Sequence, residues 1–290
     1  METEETLIID AGTGFLAFLT ELGADIKSIY GFCYSIFFES LYNPDGGIDY
    51  GSVKEIANRI VSGTGRIIRL NDGEERGRIL GGQRNVEASL IARAEEGAGQ
   101  EGESRRSAIQ RSEEALEAYA RNEGIWFDDL DSEYPQIAEG FEAIVYEDPN
   151  PDFVLKAARF ADSAPLQTLD ERILLFNTIF PETFYELVGF TRDTEGDFRF
   201  VLRQPFIIGD VGQDDPKALA TRMRESGLFA TTDPEKFTNS NHSVKDVHSR
   251  NYIKTPERVF VIDAITSLNS PDLGGSREYQ PFRVELFGAA

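Results

Sequence analysis

The chain has 290 residues and a mass of 32.4 kDa, with 40% hydrophobic and 28% charged residues, so it can bury the core of one or two soluble domains. A formal net charge of −22 argues against a nucleic-acid-binding surface, which needs clustered Lys and Arg. One cysteine and two histidines exclude a disulfide within the chain and argue against a thiolate or His-rich zinc site.

The N-terminal end of the sequence is acidic rather than basic, which argues against a secretory signal peptide. The most apolar window, residues 29–38, is shorter than a bilayer span and has charged residues on both sides. These features predict a cytoplasmic chain without a membrane segment.

Residues 1–100 are predicted to form a mainly helical, acidic region. Apolar side chains recur at three- to four-residue spacing within residues 11–42, and Ser52 is suited to cap a second helix over residues 53–61. Residues 1–50 carry nine acidic residues and one basic residue, which is typical of a solvated face, with an assembly surface for a protein partner as the alternative. The Gly- and charge-rich residues 95–102 are the predicted linker.

Residues 105–290 are predicted to form a second region in which helices and strands alternate. Helices are expected over residues 107–124, 166–179 and 216–226, the last of them capped by Asp215, and strands over residues 139–146, 153–157, 184–190 and 198–204. The strand over residues 153–157 is the third of a predicted meander that begins at residues 125–127, and it carries Lys156 among apolar residues. A Lys on such a strand is most often solvent-facing, so an inward functional Lys is one of two interpretations.

Asp246 is followed five residues later by Asn251, and Asp263 then ends a run of β-forming residues. This layout is typical of a phosphotransferase centre, in which one Asp faces the acceptor hydroxyl while the Asn and the second Asp hold Mg²⁺. Carboxylate and amide oxygens suit Mg²⁺ because it is a hard cation. The same spacing also arises by chance, and Asp263 could simply end a strand.

The order of these parts, over residues from about 110 to 268, resembles a minimal protein-kinase-like fold. More narrowly, it is similar to the kinase domain embedded in large polyvalent proteins of bacterial phages and conjugative elements. The resemblance implies an α+β protein with a small antiparallel sheet lobe and a reduced helical lobe, preceded by the mainly helical N-terminal region.

The resemblance also implies a role for each motif residue, with ATP and Mg²⁺ as cofactors and an unidentified hydroxyl acceptor, protein or small molecule. Gly140 would cover the nucleotide phosphates, and Lys156 would bind the α- and β-phosphates and pair with Glu171. Gln204 to Phe206 would form the adenine-binding hinge. Asp246 would orient the acceptor, and Asn251 and Asp263 would bind Mg²⁺.

Several departures from protein kinases keep more than one function open. The glycine turn has one Gly where protein kinases have three, and Ala264-Ile265 follows the second Asp in place of Phe-Gly. His248 is either part of the catalytic loop or a locally packed loop residue. The sequence therefore predicts a phosphotransferase, with a catalytically inert nucleotide-binding or scaffold module as the alternative and an unrelated α+β interaction domain as a third.

Overall fold

The computed structural model describes residues 48–58, 83–97, 104–160, 163–212 and 214–269. Helices come first in this part of the chain, a five-stranded antiparallel sheet with a helix between its third and fourth strands follows, and two smaller sheets and one further helix complete it. The helix predicted over residues 11–42 lies outside the described residues, as does most of the predicted linker. Within the described ranges, the structure has no helix with the length and apolarity needed to cross a bilayer.

Of the four helices that precede the main sheet in the described residues, the first three are α1 over residues 50–58, α2 over Gln83–Gly97 and α3 over Arg105–Glu123. Helix α2 continues into the residues predicted as linker. Helix α3 ends at Gly124, whose left-handed φ of 67° is the usual C-cap geometry, and the predicted end of this helix is confirmed.

Helix α2 belongs to the same apolar core as the elements that follow it. Its residues Leu90 and Ile91 are fully buried in one cluster with Leu116 of α3 and with Phe176 farther along the chain. In the described part of the chain, residues before and after the predicted boundary at 100–105 therefore share one core. The division into two regions stays a prediction.

A buried hydrogen bond joins α2 to α3, because the hydroxyl of Tyr119 donates to the carboxylate of Glu87. Glu87 is 3% exposed, and its other oxygen accepts from the Gln83 side chain at 2.8 Å. Burial and the hydrogen bond to Glu87 raise the pKa of Tyr119 well above its ordinary value. The phenol therefore stays protonated and acts as the donor.

Tyr119→Phe is expected to lower the free energy of unfolding by about 1–3 kcal/mol, because it leaves a buried carboxylate oxygen without its donor. Urea unfolding followed by circular dichroism measures the change. Tyr134→Phe is the matched control, since Tyr134 is only partly buried and contacts Phe127 through its ring. Equal stability of Tyr119→Phe and the parent protein would contradict the prediction.

A short helix α4, Leu130–Glu133, leads into an antiparallel sheet with the strand order β1-β2-β3-β5-β4. The strands are β1 Gln136–Glu139, β2 Ala143–Glu147, β3 Phe153–Ala158, β4 Glu186–Arg192 and β5 Phe198–Pro205. The single strand predicted over residues 139–146 is wrong. The Gly140 amide donates to the Ala143 carbonyl at 2.8 Å and closes a turn between β1 and β2.

Side chains of β3 alternate between the two faces of this sheet. Leu155 and Ala157 pack in a small cluster with Tyr146 and Val201 on the outer face. Ala158 belongs to the main core on the opposite face, and the alternation places Lys156 on that side, where it is 8% exposed. The solvent-facing interpretation of Lys156 is therefore wrong, because the inner face of the strand is covered.

Helix α5 covers residues 165–179 on the inner face of the sheet. It is α-helical over Pro165–Gln167 and Phe176–Ile179 and π-helical over Thr168–Leu175, and all eight π-helical residues are buried. A 3₁₀ turn, Pro181–Thr183, leads into β4. A π-helical turn is wider than an α-helical turn, so residues that would share a face of an α-helix are shifted around the axis.

Short strands dominate the described residues beyond β5, and they form two sheets, β11-β10-β6 and β12-β9-β8-β7. The elements are β6 Asp210–Val211, α6 Pro216–Glu225, β7 Phe229–Ala230, β8 Phe237–Thr238, β9 His242–Lys245, β10 Tyr252–Lys254, β11 Val259–Val261 and β12 Ile265–Leu268. Helix α6 starts as predicted, since the Asp215 carboxylate accepts from the Ala218 amide at 3.0 Å. The expected helical lobe thus has one helix in this described stretch, because its apolar runs are too short and alternating to sustain more.

Candidate active site

Asn251 joins the two aspartates that the sequence singles out. Its side-chain amide donates to the carbonyl of Asp246 at 2.7 Å and to its carboxylate at 3.0 Å. Its main-chain carbonyl accepts from the amides of Ile262 at 2.9 Å and Asp263 at 3.2 Å. The structure therefore brings Asp246, Asn251 and Asp263 together at one place between β9, β10 and β11.

Asp246 directly follows β9 and has a left-handed backbone conformation with φ of 61°. No other non-glycine residue in the described part of the chain has a positive φ. Aspartate tolerates this region better than most residues, and such conformations cluster at functional sites. Its side chain is 47% exposed, so one oxygen can meet an incoming molecule while the other accepts from Asn251.

His248 contacts Asp246 directly. Its Nδ1 accepts from the Arg250 amide at 3.3 Å, and its Nε2 lies 3.5 Å from the Asp246 Oδ1. In the neutral ring the first contact places the hydrogen on Nε2, facing the carboxylate. This geometry favours the interpretation in which His248 belongs to the loop that orients Asp246.

Lys156 reaches the same place from the sheet. Its amine donates to the carbonyl of Ile262 at 3.1 Å and lies 5.4 Å from the ring centroid of Tyr185. The Tyr185 hydroxyl and the Gln204 side chain donate to the same carbonyl oxygen, each at 3.0 Å. Burial lowers the pKa of Lys156, and the nearby carboxylate of Asp263 opposes that shift.

Glu171 points elsewhere, and the predicted ion pair with Lys156 is not formed among the described residues. The Glu171 carboxylate accepts from the Gln167 side chain at 2.8 Å and from the Leu268 amide at 3.4 Å. Its backbone carbonyl also accepts from Thr266, so this turn of α5 is bound to β12. The π-helical segment and this pairing with β12 direct Glu171 away from β3.

The remaining predicted residues are Gly140, Gln204 and Phe206. A Cβ at Gly140 would be 3.6 Å from the Ala143 carbonyl, an ordinary contact, so the turn itself does not require glycine. The Gln204 side chain is buried and also donates to Thr183 at 2.8 Å, where it supports the Ile262 carbonyl. The Phe206 amide donates to the Asp152 carbonyl at 2.8 Å, so in this conformation it is not free to bind an adenine edge.

Two further charged residues lie near the site. Arg172 was missed from the sequence, whereas Glu142 belongs to residues 140–146, which the resemblance assigns to covering the nucleotide phosphates. Arg172, next to Glu171, is 6% exposed and donates to the Glu142 carboxylate at 3.0 Å. Burial raises the pKa of Glu142, the Arg172 charge opposes this shift, and the carboxylates of Asp263 and Asp246 add to it. The sequence signal was an arginine directly before the apolar residues 173–176, where a helix is expected to be buried. A buried arginine is rare unless it is paired, so Arg172 could have been expected to have an acidic partner.

Two side chains at the site carry oxygen donors of the chemical type that Mg²⁺ prefers. Among the described residues nothing donates a hydrogen bond to the Asp263 carboxylate, and the amide nitrogen of Asn251 is used by Asp246, which leaves its Oδ1 for a cation. The described chain has no cluster of three or more His, Cys, Asp or Glu residues that could hold a metal by itself. A cation here would need phosphate or water oxygens as well, which is the usual mode of Mg²⁺ binding.

The sequence model of serine/threonine/tyrosine kinases found in polyvalent proteins matches residues 110–270, more than half of the chain. The chain belongs to this kinase family. No curated protein and no solved structure matches it. The matched residues run from α3 to just past β12 and include every motif residue from Gly140 to Asp263. The resemblance and the α+β kinase-like fold predicted from the order of motifs are confirmed.

Proposed function

We propose that the protein is an ATP- and Mg²⁺-dependent phosphotransferase that moves the γ-phosphoryl group to a hydroxyl of a protein or small molecule. The observation that supports this best is the double link made by Asn251, which holds Asp246 to Asp263 beside the Ile262 carbonyl that the buried amine of Lys156 contacts. Phosphoryl transfer depends on positioning and charge neutralisation, and these are the groups that supply both.

Each side chain has a distinct task in this proposal. Asp246, with its exposed carboxylate beside His248, would hold the acceptor hydroxyl and take its proton. Lys156 would move from the Ile262 carbonyl to the α- and β-phosphates when nucleotide enters. Because its amine is buried, its attraction to phosphate is weakly screened by solvent.

Asp263 and the amide oxygen of Asn251 would hold the Mg²⁺ ion. The ion, when bound with nucleotide, supplies positive charge that neutralises the phosphate oxygens. The position of the proposed Asn251 ligand oxygen is fixed, because Asn251 is held by its hydrogen bonds to Asp246 and to the backbone of residues 262 and 263. The bound ion would in turn fix where the phosphate oxygens lie.

One observation favours a second function, a nucleotide-binding module without transfer. Lys156 lacks the helix carboxylate that orients the equivalent lysine in active protein kinases. Nucleotide binding without transfer to any acceptor would support this second function.

Asp263→Ala is expected to weaken binding of Mg·ATP by about tenfold or more, because it removes the carboxylate proposed to hold the metal. Isothermal titration with ATP, in Mg²⁺ and again in EDTA, measures the change. Without the metal, the variant and the parent protein should bind ATP equally.

Asp210→Ala is the control for that experiment, since Asp210 is an exposed aspartate at the edge strand β6. Unchanged Mg·ATP affinity in Asp263→Ala would refute the metal assignment. Absence of nucleotide binding by the parent protein would refute the proposed phosphotransferase.

A further inference from the structure

Arg172 is a buried cation on α5 with unused donor capacity. Its guanidinium lies 4.4 Å from the ring centroid of Phe160, and Nη2 donates to Glu142 Oε2 at 3.0 Å. Its Nε is buried and has no hydrogen-bond partner among the described residues. Buried donors are normally satisfied, so a guanidinium that binds one carboxylate oxygen has room for another acceptor.

The partner carboxylate stands on the turn between β1 and β2. Glu142 is held at its backbone, where its carbonyl accepts from the Arg159 amide at 2.7 Å. The neighbouring Phe141 is 95% exposed, so the tip of this turn projects into solvent. The Glu142 side chain is itself 31% exposed and can therefore leave Arg172 for water without being stranded in the core.

The Glu142–Arg172 pair joins α5 to the turn that starts at Gly140, and it lies near the candidate active site. The carboxylates of Asp263 and Asp246 act electrostatically on Glu142, and the charge of Arg172 acts on Tyr185, whose ring lies under the amine of Lys156. Glu171, the helix residue expected to serve the site, is bound to β12 instead. Arg172, by contrast, is bound through Glu142 to the turn between β1 and β2.

A nucleotide brings several negative charges into a space already bordered by three carboxylates, of which Glu142 is the one on a surface turn. The planar guanidinium matches phosphate oxygens in geometry, and charge-assisted bonds of this type are strong. We propose that Arg172 binds a phosphate group of the nucleotide, and that Glu142 occupies this cation in the nucleotide-free protein. The inference rests on the proposed phosphotransferase function and adds a phosphate-binding residue to it.

Two variants should change nucleotide affinity in opposite directions. Glu142→Gln is expected to tighten Mg·ATP binding about fivefold, because Arg172 no longer has to give up the Glu142 carboxylate before it binds a phosphate. Arg172→Met is expected to weaken Mg·ATP binding about 30-fold or more, with adenosine affinity changed by no more than about twofold. Isothermal titration of each variant with Mg·ATP and with adenosine gives these ratios.

Arg222→Met is the matched control. Arg222 is 5% exposed, pairs with Glu182 and lies 5.2 Å from the ring centroid of Phe180, so it is another buried arginine with a carboxylate partner and an aromatic neighbour, but its guanidinium also donates to Ser226 and to the Ile179 carbonyl. This control should leave Mg·ATP affinity within about twofold of that of the parent protein. Partial recovery in Arg172→Lys, which keeps the charge without the planar fork, would further support phosphate binding.

The outcomes separate this inference from the proposed function. If the parent protein and Glu142→Gln bind no Mg·ATP, both proposals are overturned. If the parent protein binds Mg·ATP and Glu142→Gln binds it equally or more weakly, the pair is structural and only this inference is overturned. Should Arg172→Met fail to fold, as the melting curve would show, the sign of the Glu142→Gln effect decides alone.

Discussion

Asp246→Asn is expected to reduce phosphoryl transfer by about 10²- to 10⁴-fold while Mg·ATP affinity stays within about twofold of the parent value. The carboxylate is proposed to accept the proton of the acceptor hydroxyl, and an amide cannot do this at neutral pH. Asparagine is the appropriate replacement because it tolerates the left-handed φ of 61° and its oxygen can still accept from Asn251.

Transfer of labelled γ-phosphate to a panel of protein and small-molecule hydroxyl acceptors, or to water, measures the rate for this variant. Asp210→Asn on the exposed strand β6 is the control and should retain the parent rate. Full transfer activity in Asp246→Asn would show that another group accepts the proton. A parent protein that binds Mg·ATP and transfers nothing would instead support the inert nucleotide-binding module.

Gly189→Ala is expected to lower the free energy of unfolding by about 3 kcal/mol or more, and the melting temperature by about 6 °C or more. A Cβ at Gly189 would lie 2.0 Å from the Ile125 carbonyl oxygen and 2.6 Å from Cε2 of Phe127. The segment cannot easily retreat, because Phe190 donates to Ile125 at 3.2 Å and accepts from Phe127 at 2.9 Å.

Thermal unfolding followed by circular dichroism measures this effect. Gly140→Ala is the matched control, since the added Cβ would meet its nearest atom at 3.6 Å, and the melting temperature should change by less than about 2 °C. If both variants melt at the parent temperature, the close approach of residues 125–127 to β4 does not contribute to stability. If Gly140→Ala melts normally but binds Mg·ATP more weakly, the glycine turn serves the nucleotide.

Local signals in the sequence determined several elements and the spacing of the motif. The Asp215 cap of α6 and the glycine end of α3 were predicted because capping depends on a few adjacent residues. The association of Asn251 with Asp246 was predictable for the same reason, since five residues of turn bring them together. The order of elements was sufficient to indicate the kinase family.

The tertiary structure decided which side chains face the site. Glu171 and Lys156 lie on consecutive elements, but the Glu171 carboxylate accepts from the Gln167 side chain and from the Leu268 amide, 97 positions later in the chain. The π-helical turns of α5 are stabilised in a buried setting that the sequence of the helix does not specify. Arg172 lies in this π-helical segment, whose wider turns shift side chains around the helix axis, and there it faces Glu142. Helical periodicity predicts which side chains share a face only when the helix is a regular α-helix. Helix α5 is π-helical at Glu171, where Thr266 of β12 contacts it, so periodicity could not predict the directions of these side chains.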